Sequence, residues 1–185
     1  MMRYLLLLLF VAATTAYPAL GQDKIAIVNV TVIDGTDHPP RINSTVIVQG
    51  TKIIAITGGR KKLLSGVKII DGAGKFLIPG LWNNDLHGVA YDDAKSSLSQ
   101  LVSYGITTVR DMGAPLDDIV RLRSATASGT LVGPRLFIAG PLMEGPIPVQ
   151  MPLVVSLFSE EQARAEVQDL KQHNVDYVMS RLTLL

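Results

Sequence analysis

The chain has 185 residues, 48% of them hydrophobic, which suits one packed domain, or one domain and part of another, and excludes a disordered chain. Its 17 basic and 16 acidic side chains leave a formal net charge of +1, and no basic patch stands out beyond Arg60-Lys61-Lys62, so nucleic acid is not an expected partner. Cysteine is absent, which excludes disulfides, thiol catalysis, thiol redox chemistry and zinc ribbons.

Residues 1–21 read as a secretory signal peptide. Arg3 precedes an apolar run from Leu5 to Ala13, and Ala19 and Gly21 stand at the minus-three and minus-one positions of a cut. The run is too short to span a bilayer as a helix, so export to a periplasm or the exterior is expected. Removing Arg3 with the leader leaves 16 basic and 16 acidic groups, a net charge near zero.

Residues 22–78 follow a β pattern. Runs rich in Ile and Val at 25–33, 45–49, 52–57, 67–70 and 75–78 are split by turn signals such as Asp34-Gly35, Gly58-Gly59 and Asp71-Gly72. Gly50-Thr51 links two of them as a tight hairpin. Asn29-Val30-Thr31 and Asn43-Ser44-Thr45 match the glycosylation acceptor pattern.

From Pro79 onward the period changes. Strand-like Leu81–His87, Ile106–Asp111, Leu136–Ala139 and Val175–Ser180 alternate with helix-like Asp92–Tyr104, Pro115–Ser128 and Ser159–His173. Such alternation implies a parallel sheet with crossover helices. Gly105 and Gly129 serve as helix stops, and Ser159-Glu160-Glu161-Gln162 is a capping box. The Pro-rich connection 140–158 shows no period and reads as a site loop or lid.

Within Pro79-Gly80-Leu81-Trp82-Asn83-Asn84-Asp85-Leu86-His87, strand alternation puts Asn83, Asp85 and His87 on one face. Asp85 and His87 are then close enough to grip one metal ion, and both residue types are ligands. Asp85 reads either as a ligand or as a remnant paired with Arg110; Asp111 either orients loops or touches substrate. His38 reads as a loop residue and His173 as a cation at a helix C-terminus. Gly80, Gly105 and Gly113 read as backbone hinges.

Taken in order, the stretches Ile25–Thr36, Thr45–Ile56, Ile70–Lys75, Ile78–Gly88 and Tyr104–Gly113, then Gly133-Pro134-Arg135, resemble the amidohydrolase superfamily, in particular its prolidase-like and imidazolonepropionase-like branch. The resemblance covers about residues 24–180. It implies an α/β fold: a partial TIM-type (β/α) barrel of about four βα units (79–185), preceded by part of a small β-sandwich domain (22–78). A closed barrel needs roughly 250 residues, and about 105 follow Pro79.

The resemblance further implies one or two divalent metals, usually zinc, that activate a water against a C–N bond in an amide, cyclic imide or dipeptide-like small molecule. Family members supply His-x-His from the first strand; here the positions read Asp85 and His87. Met179 stands where the bridging lysine would be, and a thioether cannot carry a carbamate. No catalytic residue and no substrate-binding residue is identified, and the chain is expected to be an incomplete, inactive form of such a hydrolase. The alternative is a non-catalytic relic serving as a binding or assembly module. Open sheet edges make self-association a further expectation.

Overall fold

The computed structural model describes residues 24–59, 66–90, 94–146 and 151–181. The expected leader (1–21) and the Arg60-Lys61-Lys62 turn lie outside them. The fold is mixed α/β, and the chain divides into two compact units at Ile78 and Pro79.

The first unit is one five-stranded sheet. Strands β1 (Lys24–Val32), β2 (Arg41–Gln49), β3 (Lys52–Gly58) and β4 (Lys68–Asp71) lie in the order β3-β2-β1-β4, and β5 (Phe76–Leu77) also pairs with β1. Alternation along β1 buries Ala26, Val28, Val30 and Val32, and Val46 of β2 packs with Val30 and Val32. Gln49 pairs with Lys52 across the expected hairpin, whose Gly50 takes the left-handed conformation (φ 57°) that glycine adopts without strain. Asn29 is also left-handed (φ 59°), at a register shift in β1, and its Nδ2 donates to Asp71 Oδ1 at 2.9 Å. One acceptor asparagine is thereby engaged inside the sheet.

Of the expected part of a small β-sandwich (22–78), one sheet is described. Among the described residues, 24–78 make a single layer. The cause is β1, which takes β2 on one edge and β4 and β5 on the other, so every strand of the unit is drawn into one ladder.

The second unit contains β6 (Leu81–Leu86), α1 (Ala94–Ser103), β7 (Ile106–Asp111), α2 (Leu116–Ser128), β8 (Arg135–Ile138), β9 (Leu142–Glu144), β10 (Val154–Ser156) and α3 (Glu160–Gln172). Strands β6-β7-β8 form a parallel sheet in chain order. Val109, Leu136 and Ile138 bury one face of it against Leu98 of α1 and Ile119 of α2. Full burial of each such side chain stabilises by about 1.5–3 kcal/mol. Helix α2 ends at Gly129 (φ 75°), whose amide donates to Thr126 O. Helix α3 starts at Ser159, whose Oγ accepts the Gln162 amide at 3.2 Å; Gln162 Oε1 accepts in return from Phe158 N at 2.8 Å.

Two expectations fail here. Val175–Ser180 is not a ladder strand. Asp176 N donates to Ile138 O at 2.9 Å, but the Ile138 amide bonds the Asp176 carboxylate (2.9 Å) instead of a main-chain carbonyl. A side chain thus occupies the place of the next ladder bond, and only Ser180 makes a bridge, to Met143. Four regular βα units are therefore not present among the described residues. The Pro-rich connection, expected to lack structure, contains β9 and β10, which pair in parallel from Leu142–Val154 to Glu144–Ser156.

Candidate functional site

The ends of β6 and β7 gather the polar groups. Asn83 pairs with Val109 and Leu86 with Asp111, so three steps along β6 match two along β7. This bulge is braced by Asn83 Oδ1, which accepts the Asp85 amide at 3.1 Å. Strict alternation of Asn83, Asp85 and His87 is broken, and His87 lies just beyond the strand. The two predicted side chains meet all the same: His87 Nε2 lies 3.2 Å from Asp85 Oδ1. Asp85 therefore does not have Arg110 as its partner, the remnant pairing expected from sequence.

The spacing admits a shared ion. Two donors about 2.05 Å from one tetrahedral zinc stand roughly 3.3 Å apart, close to the separation found. The number of donors does not fit. Among the described residues no three His, Asp or Glu side chains converge, and a catalytic zinc takes three protein ligands. Both side chains are also well exposed, His87 by half and Asp85 by three quarters. Met179 contributes its backbone, the carbonyl accepting the Met143 amide at 2.9 Å.

Asp111 ends β7 and is fully buried. Its Oδ2 accepts the Gly113 amide at 3.3 Å, while Oδ1 makes no hydrogen bond. Burial raises its pKa to about 6, although the Gly113 and Val89 amides and the charge of His87 pull it down. The carboxyl thus ties together the turns that follow β6 and β7. Its backbone carbonyl accepts the Tyr177 hydroxyl at 2.6 Å. Burial pushes that hydroxyl above its usual range, and Arg110, stacked 4.4 Å above the ring centre, pulls it partly back.

A cleft of about 380 Å³ opens between the β6 end and α1, lined by His87, Ser97, Gln100 and Tyr104 among others. Its walls offer an imidazole, a hydroxyl, an amide and a phenol.

The same arrangement of sheet, helices and strand-end turns recurs in solved structures. A protein from Bifidobacterium longum assigned as a prolidase superimposes with TM-score 0.79 at 27% identity, over 89% of this chain and 42% of that one. The chain has an amidohydrolase-superfamily fold. Other amidohydrolase structures agree. A prolidase complexed with N-methylphosphonate-L-proline gives 0.71 at 20% identity, over 85% of this chain and 46% of the other. A Xaa-Pro dipeptidase with methionine in its active site gives 0.69 at 21%, over 85% and 47%. The chain therefore spans less than half the length of each. No family profile and no curated protein sequence matches it.

Sequence reasoning missed several groups. Glu144, nearly buried on β9, pairs with Arg181 at 3.1 Å; it sits in a stretch without period, so nothing marked it. Trp82 and Phe137 stack at 5.4 Å across β7. Their pairing needs the sheet register, which no local pattern carries.

Proposed function

We propose that this chain contributes the N-terminal part of a metal-dependent hydrolase acting on C–N bonds of amide, cyclic imide or dipeptide-like substrates, and that the residues present do not complete its site. The observation that carries this reading is the 3.2 Å Asp85–His87 pair at the end of the first strand of a parallel sheet. The spacing suits one edge of a zinc tetrahedron, with two donors where three are needed. The further ligands come from outside residues 24–181, and the three-stranded parallel sheet then belongs to a (β/α) barrel. The solved relatives support the substrate class, one holding a proline phosphonate and another methionine. When bound, zinc lowers the pKa of a water and polarises the carbonyl. The chain's own part is to hold His87 against Asp85.

Export is also proposed, from the layout of residues 1–21. The relic reading is favoured by one observation, Met179 at the place of the bridging lysine, whose thioether is a poor ligand for a hard divalent ion.

Zinc titration of the purified chain by calorimetry, with turnover of Xaa-Pro dipeptides and N-acyl amino acids followed in parallel, tests the proposal. We expect one weak zinc, weaker than about micromolar, lost in His87→Ala and tightened in Asp85→His, and no turnover. Tight stoichiometric zinc with turnover would sink the claim of an incomplete site. Binding indifferent to His87→Ala would sink the metal reading and favour the relic.

A further inference from the structure

The register of β6 with β7 ends at the Leu86–Asp111 pair, one residue short of His87. The residues around His87 are fixed instead by the turn that follows β7. Met112 N donates to Leu86 O at 2.7 Å, and Gly88 N donates to Gly113 O at 3.3 Å, so both chain neighbours of His87 are tied to that turn. Gly113 also approaches the ring. A β-carbon built on it would stand 3.8 Å from His87 Nδ1. Its φ of 151° is a backbone conformation that residues with side chains rarely adopt.

The Asp111 side chain holds Gly113 in that conformation. Its Oδ2 accepts the Gly113 amide at 3.3 Å. Burial pushes the carboxyl's pKa up, and the Gly113 and Val89 amides pull it back, so one carboxyl addresses the turns after β7 and β6 together. Strand alternation puts Asp111 on the face of Val109, which packs with Leu98 and Ile119. Residues already described therefore bury it completely. For stability alone a carboxyl is a poor choice here: Oδ1 has no hydrogen bond, and a buried acceptor left unmade costs free energy. An apolar side chain would avoid that cost, but it could not accept an amide.

We propose that Asp111 is the positioning residue of His87: its carboxylate orders Gly113, and Gly113 in turn holds Gly88 and the imidazole against Asp85. The use of this device rests on the metal reading of the Asp85–His87 pair, whereas the positioning itself is read out with no metal present.

The unaltered full chain, Asp111→Asn and Asp111→Leu are compared by NMR at neutral pH without metal. Asparagine keeps an oxygen for the Gly113 amide; leucine has the same branching and no acceptor. We expect a nuclear Overhauser contact between the His87 ring and the Gly113 α-hydrogen in the first two proteins and its loss in Asp111→Leu. The Gly88 and Gly113 amides should exchange at least about tenfold faster in Asp111→Leu while amides of the β7–β8 ladder keep their rates. A general loss of stability would move all of them alike. Contact and exchange unchanged in Asp111→Leu overturn the proposal, and so does equal loss in Asp111→Asn, which would trace the effect to charge. Should Asp111→Leu fail to fold by circular dichroism, Gly113→Ala disturbs the same link with the carboxyl in place. Undiminished protection of the Gly88 amide there overturns the proposal. Zinc calorimetry on the same proteins separates the two claims. Zinc at least about tenfold weaker in Asp111→Leu and within about twofold in Asp111→Asn supports both. Equal zinc affinity in Asp111→Leu overturns the positioning role. If none of the proteins takes zinc, the metal reading falls, and the metal-free contact and exchange decide the positioning.

Discussion

Asp111→Asn tests how the strand ends are held. In the folded chain burial lifts the Asp111 carboxyl from 3.8 to about 6, while unfolding returns it to its ordinary value. The folded state therefore holds a proton that the unfolded state has released between those two pH values, and stability falls as pH rises through that window. The penalty is absent below about 3.8 and complete above about 6; at 1.36 kcal/mol per unit it comes to about 3 kcal/mol. Asparagine has nearly the same shape and its oxygen can still accept the Gly113 amide, but it does not titrate. Its amide nitrogen takes the place of the unpartnered Oδ1, which adds a pH-independent cost of about 1–3 kcal/mol. The variant is thus the less stable protein at pH 3.5, and the difference moves in its favour by about 3 kcal/mol by pH 7.5. Urea unfolding of both proteins by circular dichroism across this range gives the difference directly, and other titrating groups cancel in it. Two curves that run parallel from pH 3.5 to 7.5 would refute the assignment of a buried, high-pKa carboxyl.

Arg123→Ala should cost about 2–3 kcal/mol in urea unfolding, since Arg123 donates to Asn174 O (2.6 Å) and His173 O (3.1 Å) and pairs with Asp176 at 3.5 Å. Arg123→Lys should recover part of that. A β-carbon on Gly80 would stand 1.9 Å from Thr107 Oγ1, so Gly80→Ala should destabilise by roughly 1–3 kcal/mol. Adding Thr107→Ala should restore part of the loss, because Oγ1 and Cγ2 are gone while the Thr107 β-carbon, 2.8 Å away, remains; strictly additive effects would contradict the contact. Expressed with its leader in a secretory host, the chain should give a mass beginning at Gln22, and an intact mass retaining Arg3 would argue against the expected cut.

The parts of the fold that could be read from the sequence are those encoded by neighbours in the chain. The Gly50-Thr51 hairpin, the Gly129 stop and the Ser159 cap each need only a few consecutive residues, and each is found. The failures lie where a distant group intervenes. Val175–Ser180 has a strand's composition, yet Asp176 takes the Ile138 amide with its side chain and Arg123 holds the same carboxylate from α2. Nothing within the segment announces either bond. Gly80 was expected to be a hinge, whereas the structure makes it a point of close approach to Thr107, a neighbour 27 positions on.

The candidate site divides along the same line. Asp85 and His87 are two residues apart, and their contact survives even though a bulge cancels the alternation that predicted it. The bulge shifts both residues with their shared backbone, so proximity between them is local and robust. Arg110 and Asp111 show the opposite case. They are adjacent in sequence and of opposite charge, so a local reading pairs them, but the strand sends them to opposite faces. Asp111 becomes a buried tie between two turns, and Arg110 a cation held on Tyr177. Each acquires its role from a partner that the parallel register supplies, and the register is set by the packing of Val109, Leu136 and Ile138 on the far side of the sheet. Substitutions that loosen that core should therefore disturb the Arg110–Tyr177 contact before they separate Asp85 from His87.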